Sequence, residues 1–473
     1  RLYPGSRPQP TESRQSLHGR AVPGEPLNLP FGFLPHSDLA WVQIQISGLD
    51  WLTVAEAHAV AWPLQAGDYA MEPWFLDEYR FSNKDMYEGS NRFLWLQGKV
   101  PQSTLPGRYQ GFLNVQPDGE EISRIPLEIE VLPLKVPQND FVFGGYNPAG
   151  YGRPGRSYED LLAQACARYD LHLNTIYVHP EQEESWQQFE QRLQIYLDAG
   201  CKGPFIVYVY LPLEKVDTPL RQKKIDRIPD WAIELQLQAA ERLVKRMQKP
   251  GCPRLLYTAM DEAHCKGEPY WSEQIRLLSL IRSRFPELGI TGSESERSFR
   301  RSAPSMDFPM LFEVADFNSL ELLPSQTLWS YPNQAMLEPA DINAGRFCTG
   351  WLPAQTPLKA VMPWMLFHAH HESGLRGDPW LLLLHRGVGG YRYVPRLTTI
   401  MAQIGMWDLY YVETLRKKLA EVDKIGTQEE KKLAAEVQEW LALIREETKM
   451  SYMYYYKSQY WPSSTFVRLR DMV

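Results

Sequence analysis

An apolar run, Leu255-Leu256-Tyr257-Thr258-Ala259-Met260, ends in two adjacent carboxylic acids, Asp261 and Glu262. Side-by-side carboxyls tend to separate into an ionised and a protonated member, because the charge on one disfavours ionisation of the other. That separation can place a proton donor beside an ionised acceptor, the arrangement general acid–base work requires. Successive strand side chains face opposite sides, so both acids can enter one site only if the backbone turns immediately after Asp261. The competing reading is an exposed helix-capping pair. The position at the end of a strand favours chemistry.

The ends of the other apolar runs add Tyr146 and Asn147; His179; Tyr208 and Tyr210; Ser293, Glu294 and Ser295; Asp316 and Asn318; Trp329 and Tyr331; Trp364 and His368. This is a polar, aromatic rim with few carboxylates, suited to a neutral, hydroxyl-rich ligand better than to a phosphate or polyanion. Tyr146, Asn147, His179, Tyr208, Tyr210, Ser293, Asn318, Trp329, Tyr331 and Trp364 are the expected substrate contacts around the catalytic pair. Trp329, Tyr331 and Trp364 form the candidate stacking platform, with core packing as the alternative.

Such a rim needs many strands ending at one face. From about residue 141 the chain alternates strand and helix, with strands at 142–146, 173–178, 205–210, 254–260, 288–293, 311–317, 327–331 and 359–367. Helical periodicity covers 158–169, 184–198, 231–247 and 270–285. Eight such strands predict a (β/α)8 TIM-like barrel, whose sites lie at the C-terminal ends of its strands. Residues 1–138 differ: short alternating runs such as Trp41-Val42-Gln43-Ile44-Gln45-Ile46, bounded by Gly, Pro and Asp, predict an antiparallel β-sandwich. The expected organisation is a sandwich at 1–138, a barrel catalytic domain at 139–420, and a C-terminal helical extension at 421–473 packed on the barrel. Helical character is expected from Val394 to about Lys449.

A net charge of −7 with no Lys/Arg block argues against nucleic acid as partner; Arg416-Lys417-Lys418 sits in a Glu-rich helical region and reads as a solvated face. No apolar run approaches the ~18 residues of a membrane-spanning segment. The five cysteines include no CxxC pair, so neither a zinc knuckle nor a disulfide framework is indicated, and no cofactor is expected. The chain begins at Arg1. A processed export signal is compatible with that start, and a periplasmic, cell-surface or secreted location is the expectation.

The Asp261-Glu262 segment resembles the catalytic pair of glycoside hydrolase family 123, the β-N-acetylgalactosaminidases and their relatives. Leu94-Trp95-Leu96, Val100-Pro101 and Pro106-Gly107-Arg108-Tyr109-Gln110-Gly111 are similar to that family's sandwich pattern. Leu328-Trp329-Ser330-Tyr331 resembles its strand seven, and Arg346 stands where its following helix carries an arginine. Pro395-Arg396-Leu397 through Gly405-Met406-Trp407-Asp408-Leu409-Tyr410-Tyr411 resembles its closing helix. The run Pro363 to His371 and the loop Gly292-Ser293-Glu294-Ser295 depart from the family pattern. The resemblance implies a retaining, substrate-assisted reaction on an oligosaccharide or glycoconjugate. In it the 2-acetamido group attacks the anomeric carbon, Glu262 serves as acid then base, and Asp261 orients the acetamido group.

Three other readings remain: a glycosidase of this fold acting on a different sugar, a metal-dependent barrel hydrolase, and a non-catalytic carbohydrate-binding barrel. The metal reading rests on His368, His370, His371 and Glu372, with His179, Asp261 and Asp316 as further ligands if the barrel gathers them. The alternative for these histidines is a place in or near a sugar pocket, with no metal.

Overall fold

The N-terminal alternation folds as two four-stranded sheets built from β1 (Leu17–Ala21), β2 (Pro26–Phe33), β3 (Val42–Ser47), β4 (Leu52–Pro63), β5 (Tyr69–Glu78), β6 (Arg92–Lys99), β7 (Gly107–Pro117) and β8 (Ser123–Val131). The orders are β1-β8-β7-β3 and β2-β6-β4-β5. Period-two patterning makes the core: on β8, Leu127, Ile129 and Val131 are buried with Leu94, Leu96 and Leu113. Glu130 on the opposite face pairs with Arg20 at 3.0 Å. One strand departs from the antiparallel expectation. β1 runs parallel to β8, and the pairing continues one residue further, with the Leu132 N–H bonded to the Ala21 carbonyl.

This computed structural model describes residues 16–63, 69–78, 86–146, 156–312, 314, 316–332, 344–363, 367–368, 381–387 and 390–454. Within them, β9 (Val142–Gly145), β10 (Leu171–Val178), β11 (Phe205–Val209), β12 (Leu255–Thr258), β13 (Gly289–Ser295), β14 (Phe308–Phe312), β15 (Trp329–Ser330) and β16 (Ala360–Val361) close into a barrel. Every neighbouring pair is parallel, and β16 returns to β9. Closure depends on Gly144, where a Cβ would stand 1.7 Å from the Leu173 carbonyl oxygen. The helices that follow the strands include α1 (Arg156–Arg168), α2 (Glu183–Asp198), α3 (Asp230–Met247), the single turn α4 (Ala263–Lys266), α5 (Tyr270–Arg284) and α6 (Glu296–Ser302).

Alternate strand residues fill the barrel's interior, among them Leu173, Ile206, Leu256, Phe308, Met310, Trp329 and Ala360. Trp329 aligns with Met310 and Ala360, and its ring packs 5.3 Å from Phe308. At 2 % exposure it packs as a core residue, and Tyr331, at 1 %, is buried in the same cluster, so neither offers a free stacking face. Trp329→Ala is therefore expected to cost about 3–5 kcal/mol of stability. Denaturant unfolding would show this as a lower midpoint with an unchanged slope; a fully stable variant with weakened ligand binding would restore the platform reading.

Two expected strands shift. The sixth is Phe308–Phe312, not 311–317, paired residue for residue with Thr291–Ser295 and holding Pro309 within it. The eighth is only Ala360–Val361. The apolar residues beyond it feed a separate sheet of β17 (Phe367–His368), β18 (Leu382–Gly387) and β19 (Gly390–Pro395). Helix consequently starts at Leu397, not Val394, in α7 (Leu397–Ile425), followed by α8 (Gln428–Tyr454). A boundary at 420 falls within α7.

The Gly405-to-Tyr411 segment packs domains together. A Cβ on Gly405 would meet the Arg346 carbonyl oxygen at 2.5 Å, so glycine permits backbone contact between α7 and the 344–355 segment. Three residues on, the Asp408 carboxylate accepts from Arg346, with Nη2 to Oδ1 at 3.0 Å. Tyr411 Oη donates to Glu25 Oε2 at 2.6 Å, and Arg392 Nε donates to Asp77 Oδ1 at 2.7 Å, both reaching the sandwich. Ala55, Leu76 and Trp95 of the sandwich share one apolar cluster with the barrel helices. All five cysteines are free thiols. Among the described residues, no helix is long and apolar enough to cross a membrane.

Candidate active site

Beyond Thr258 the chain leaves β12 and turns through residues 259–262 into α4. Met260 (φ 62°) and Glu262 (φ 45°) are both left-handed. For residues with a Cβ, each such step costs roughly 1–2 kcal/mol. A set of side chains pins the turn. Gln274 Nε2 donates to the Met260 carbonyl at 2.7 Å, the Asp261 N–H donates to Tyr208 Oη at 2.7 Å, and Lys266 Nζ donates to the Asp261 carbonyl. Ser293 Oγ ties the two acids together, donating to Asp261 Oδ1 at 2.8 Å and accepting the Glu262 N–H at 3.3 Å. The reversal required immediately after Asp261 is thus present, and both carboxyls are half-buried at one strand end.

Their electrostatics differ. Burial pushes the Glu262 carboxyl above its ordinary range, the Asp261 carboxylate pushes it further, and Lys266 partly opposes both. Glu262 is therefore biased toward the protonated form beside an acceptor already engaged by Ser293. Burial first, and Asp261 second, hold the Tyr146 and Tyr208 phenols well above their usual range, so both remain neutral donors. Lys266 lies over the Tyr270 ring at 5.3 Å, and Arg221 bonds Asp217 at 2.7 Å on the same flank.

Inward-facing aromatics ring this turn. Tyr146 packs edge-on to Tyr331 at 5.5 Å, and Phe312 lies 6.2 Å beyond it. On the opposite side, Tyr177 is 5.4 Å from Tyr208 and stacks on Tyr210 at 5.6 Å, while His179 stacks on Tyr210 at 4.6 Å. Tyr177, Tyr210 and His179 are only half-buried, leaving ring surface for a ligand.

Of the residues named from sequence, Tyr146, His179, Tyr208, Tyr210, Ser293 and Tyr331 converge with Asp261 and Glu262 at the C-terminal ends of the strands. Trp329 sits one layer below Tyr331. Asn318 is exposed after the shortened β14 and donates to the Gln355 carbonyl at 3.2 Å, outside this cluster. Asp316 caps the same short turn, accepting the Asn318 N–H at 2.9 Å. Asn147, Trp364, His370, His371 and Glu372 lie outside the described residues, as does the side chain of His368. Tyr177, Phe312, His264 and Lys266 were missed. Tyr177 had a signal, since it stands two residues before His179 and hence on the same strand face.

Glu294 follows Ser293 and faces the other way, opposite Leu311 and beneath α4 and α6. It is fully buried. Burial pushes its carboxyl up to about 7 from an ordinary 4.5, against a lowering influence of Ser298 and Ser302. Its sign is unusual. The unfolded chain releases this proton near pH 4.5 and the folded chain near 7, so the stability penalty opens across that window and stays constant above it. Glu294→Gln is accordingly expected to change stability little at pH 4.5 and to raise it by up to about 3 kcal/mol at pH 8. Urea unfolding at the two pH values checks this; equal effects at both would contradict the burial argument.

No protein-family model matches the chain, and no curated protein matches it. Solved structures do. A family 123 glycoside hydrolase from Clostridium perfringens is similar over 92% of this chain and 94% of its own, with a TM-score of 0.64 and 12% identity. That likeness shows a shared fold, sandwich and barrel together, and gives the sequence resemblance a structural counterpart. A GH5 xyloglucanase from Bacteroides ovatus (83% of this chain, 98% of its own, 9% identity, TM-score 0.33) and an endo-β-1,4-mannanase from Thermotoga petrophila (57%, 77%, 10%, 0.37) are more distant, too far to carry an argument.

Proposed function

We propose that this chain is a retaining glycoside hydrolase that removes a β-linked N-acetylhexosamine, N-acetylgalactosamine foremost, with assistance from the substrate's own 2-acetamido group. The observation that carries the reading is the bridged turn: Asp261 and Glu262 are consecutive, and one hydroxyl, Ser293 Oγ, touches both residues. A retaining enzyme with its own nucleophile places two carboxyls about 5–5.5 Å apart across the scissile bond, which adjacent residues on one pinned turn are poorly placed to do. Two other acids lie near the strand ends, and neither is placed as a separate nucleophile: Glu294 is fully buried on the outer side of β13, and Asp316 caps a turn. The substrate amide is then the available nucleophile.

In this reading Glu262, biased toward its protonated form, gives a proton to the leaving oxygen as the acetamido oxygen closes on the anomeric carbon. Asp261 accepts the amide N–H and stabilises the cyclic cation; Glu262, now a carboxylate, takes a proton from the water that opens it. Tyr177, Tyr210 and His179 offer the sugar flat surfaces. The fold shared with the clostridial enzyme, whose reported subject is glycolipid glycan hydrolysis, supports a carbohydrate substrate.

The test is a panel of aryl β-glycosides carrying a 2-acetamido or a 2-hydroxyl group, each in the galacto and gluco series. Turnover is expected for the 2-acetamido sugars, best in the galacto series, with strong inhibition by a thiazoline that mimics the cyclic intermediate. Efficient turnover of the 2-hydroxyl sugars, with a fluorosugar trapped on a distant carboxylate, would overturn the mechanism.

A further inference from the structure

Resting on the proposed function, a second pair of ionisable groups bears on the same turn. Glu294 is fully buried; the Ser298 and Ser302 hydroxyls bear on its carboxyl, but neither oxygen has a hydrogen bond of conventional geometry among the described residues. His264 Nδ1 is likewise without a conventional partner and lies 3.3 Å from Glu294 Oε2. A buried carboxyl held only by two weakly aligned hydroxyls is costly, and it and the imidazole nitrogen 3.3 Å away satisfy each other when one proton lies between them. We propose that Glu294 and His264 form a positioning pair: sharing one proton, they clamp the single helical turn after Glu262 and so hold the Asp261-Glu262 carboxyls at their working angle.

The connectivity supports this. Ser293, directly before Glu294 on β13, grips Asp261 and the Glu262 N–H, and His264 is the second residue after Glu262. One strand thus holds the turn on both sides of Glu262, from within the barrel through Ser293 and from outside it through Glu294. His264 also packs tilted against Phe312 at 5.3 Å, and Phe312 lies edge-on to Tyr331, which joins the clamp to the aromatics of the site. The charged and polar groups around the pair are few: Ser298 and Ser302 of α6 face Glu294, Lys266 and Asp261 act on His264, and Cys265 Sγ lies 3.1 Å from His264 Nε2. No cation of the fold other than a protonated His264 pairs with Glu294 among the described residues. A group retained at a stability cost, on the strand that carries the pins, fits a positioning role.

The experiment compares Glu294→Gln, His264→Ala and the double variant with wild type on a 2-acetamido sugar with a phenolic leaving group. His264→Asn, which keeps an N–H donor near the Nδ1 position, tests rescue. Each single variant is expected to lose about ten- to a hundred-fold in kcat with KM held within about two-fold. The double variant should lose no more than either single one, and His264→Asn should recover most of the rate. Glu294→Gln should show this loss with an undiminished unfolding midpoint. A wild-type kcat in Glu294→Gln, additive losses, or a loss that follows a fall in midpoint would each overturn the proposal. If the wild type hydrolyses no glycoside, the functional reading has failed and the pair is judged by NMR. Glu294→Gln should then shift the His264 imidazole 15N signals and the titration of the Glu262 carboxyl 13C; constancy of both refutes the clamp.

Discussion

Glu262→Gln is expected to lower kcat/KM for phenyl glycosides by about 10²–10⁴ while barely changing kcat/KM for dinitrophenyl glycosides, whose kcat falls instead because the step that opens the cyclic intermediate has lost its base. A phenolate of ordinary basicity needs the proton that Glu262 holds; an activated phenolate leaves without it. The substitution keeps the shape of the side chain and the left-handed backbone at 262, so the Ser293 and Tyr208 pins remain. It also removes the group whose proton is retained by burial and by Asp261, so the alkaline loss of activity expected of the unaltered protein on phenyl glycosides should vanish for whatever rate remains. Steady-state rates on a graded set of aryl leaving groups, with circular dichroism to verify folding, decide the matter. Equal losses in kcat/KM across the set would remove Glu262 from the role of acid.

Asp261→Asn should lower kcat by about 10²–10³ on 2-acetamido substrates, and by the same factor for good and poor leaving groups. The Asp261 carboxylate already accepts from Ser293 Oγ through Oδ1, leaving Oδ2 for the substrate amide. An asparagine at this position loses the charge that stabilises the cyclic cation, whatever departs from the anomeric carbon. The contrast with Glu262→Gln is the diagnostic: one effect depends on the leaving group and the other does not. A leaving-group-dependent loss in Asp261→Asn would mean that the two roles are reversed or shared.

The barrel and its catalytic strand were legible because their signals are local. An apolar run of strand length ending in polar residues, repeated between helical stretches, specifies parallel strands with a functional end, and Asp261-Glu262 marks one such end. Depth within the barrel was not legible. Trp329 and Tyr331 point the same way two residues apart and are both buried in the barrel's interior, and only their neighbours, Met310 and Ala360 for the first and Tyr146 and Phe312 for the second, reveal that Tyr331 stands one layer nearer the strand ends. Asn318 was placed by a strand read three residues late. Glu294 illustrates parity: a one-residue step from Ser293 moves a carboxyl from the site to the opposite face. His264 and Lys266 lie on a turn whose path depends on left-handed residues that no composition or periodicity announces. The glycine, aspartate and tyrosine of α7 were noticed as a pattern, while their work of joining helix to helix and barrel to sandwich becomes visible only in three dimensions.

The left-handed backbone at Met260 and Glu262 gives this site a direction of decay. Glycine or asparagine would occupy either position with less strain, so while catalysis is selected the turn is held away from its thermodynamic preference. A gene copy released from that selection would drift downhill, replacing Glu262 first, since that change relaxes the backbone and abolishes proton transfer in one step. Among chains sharing this architecture, the residue at this position therefore serves as a record of ancestry: an acid there marks a lineage still selected for turnover, and a glycine or asparagine beside an intact aromatic ring marks one that kept only the capacity to hold sugar.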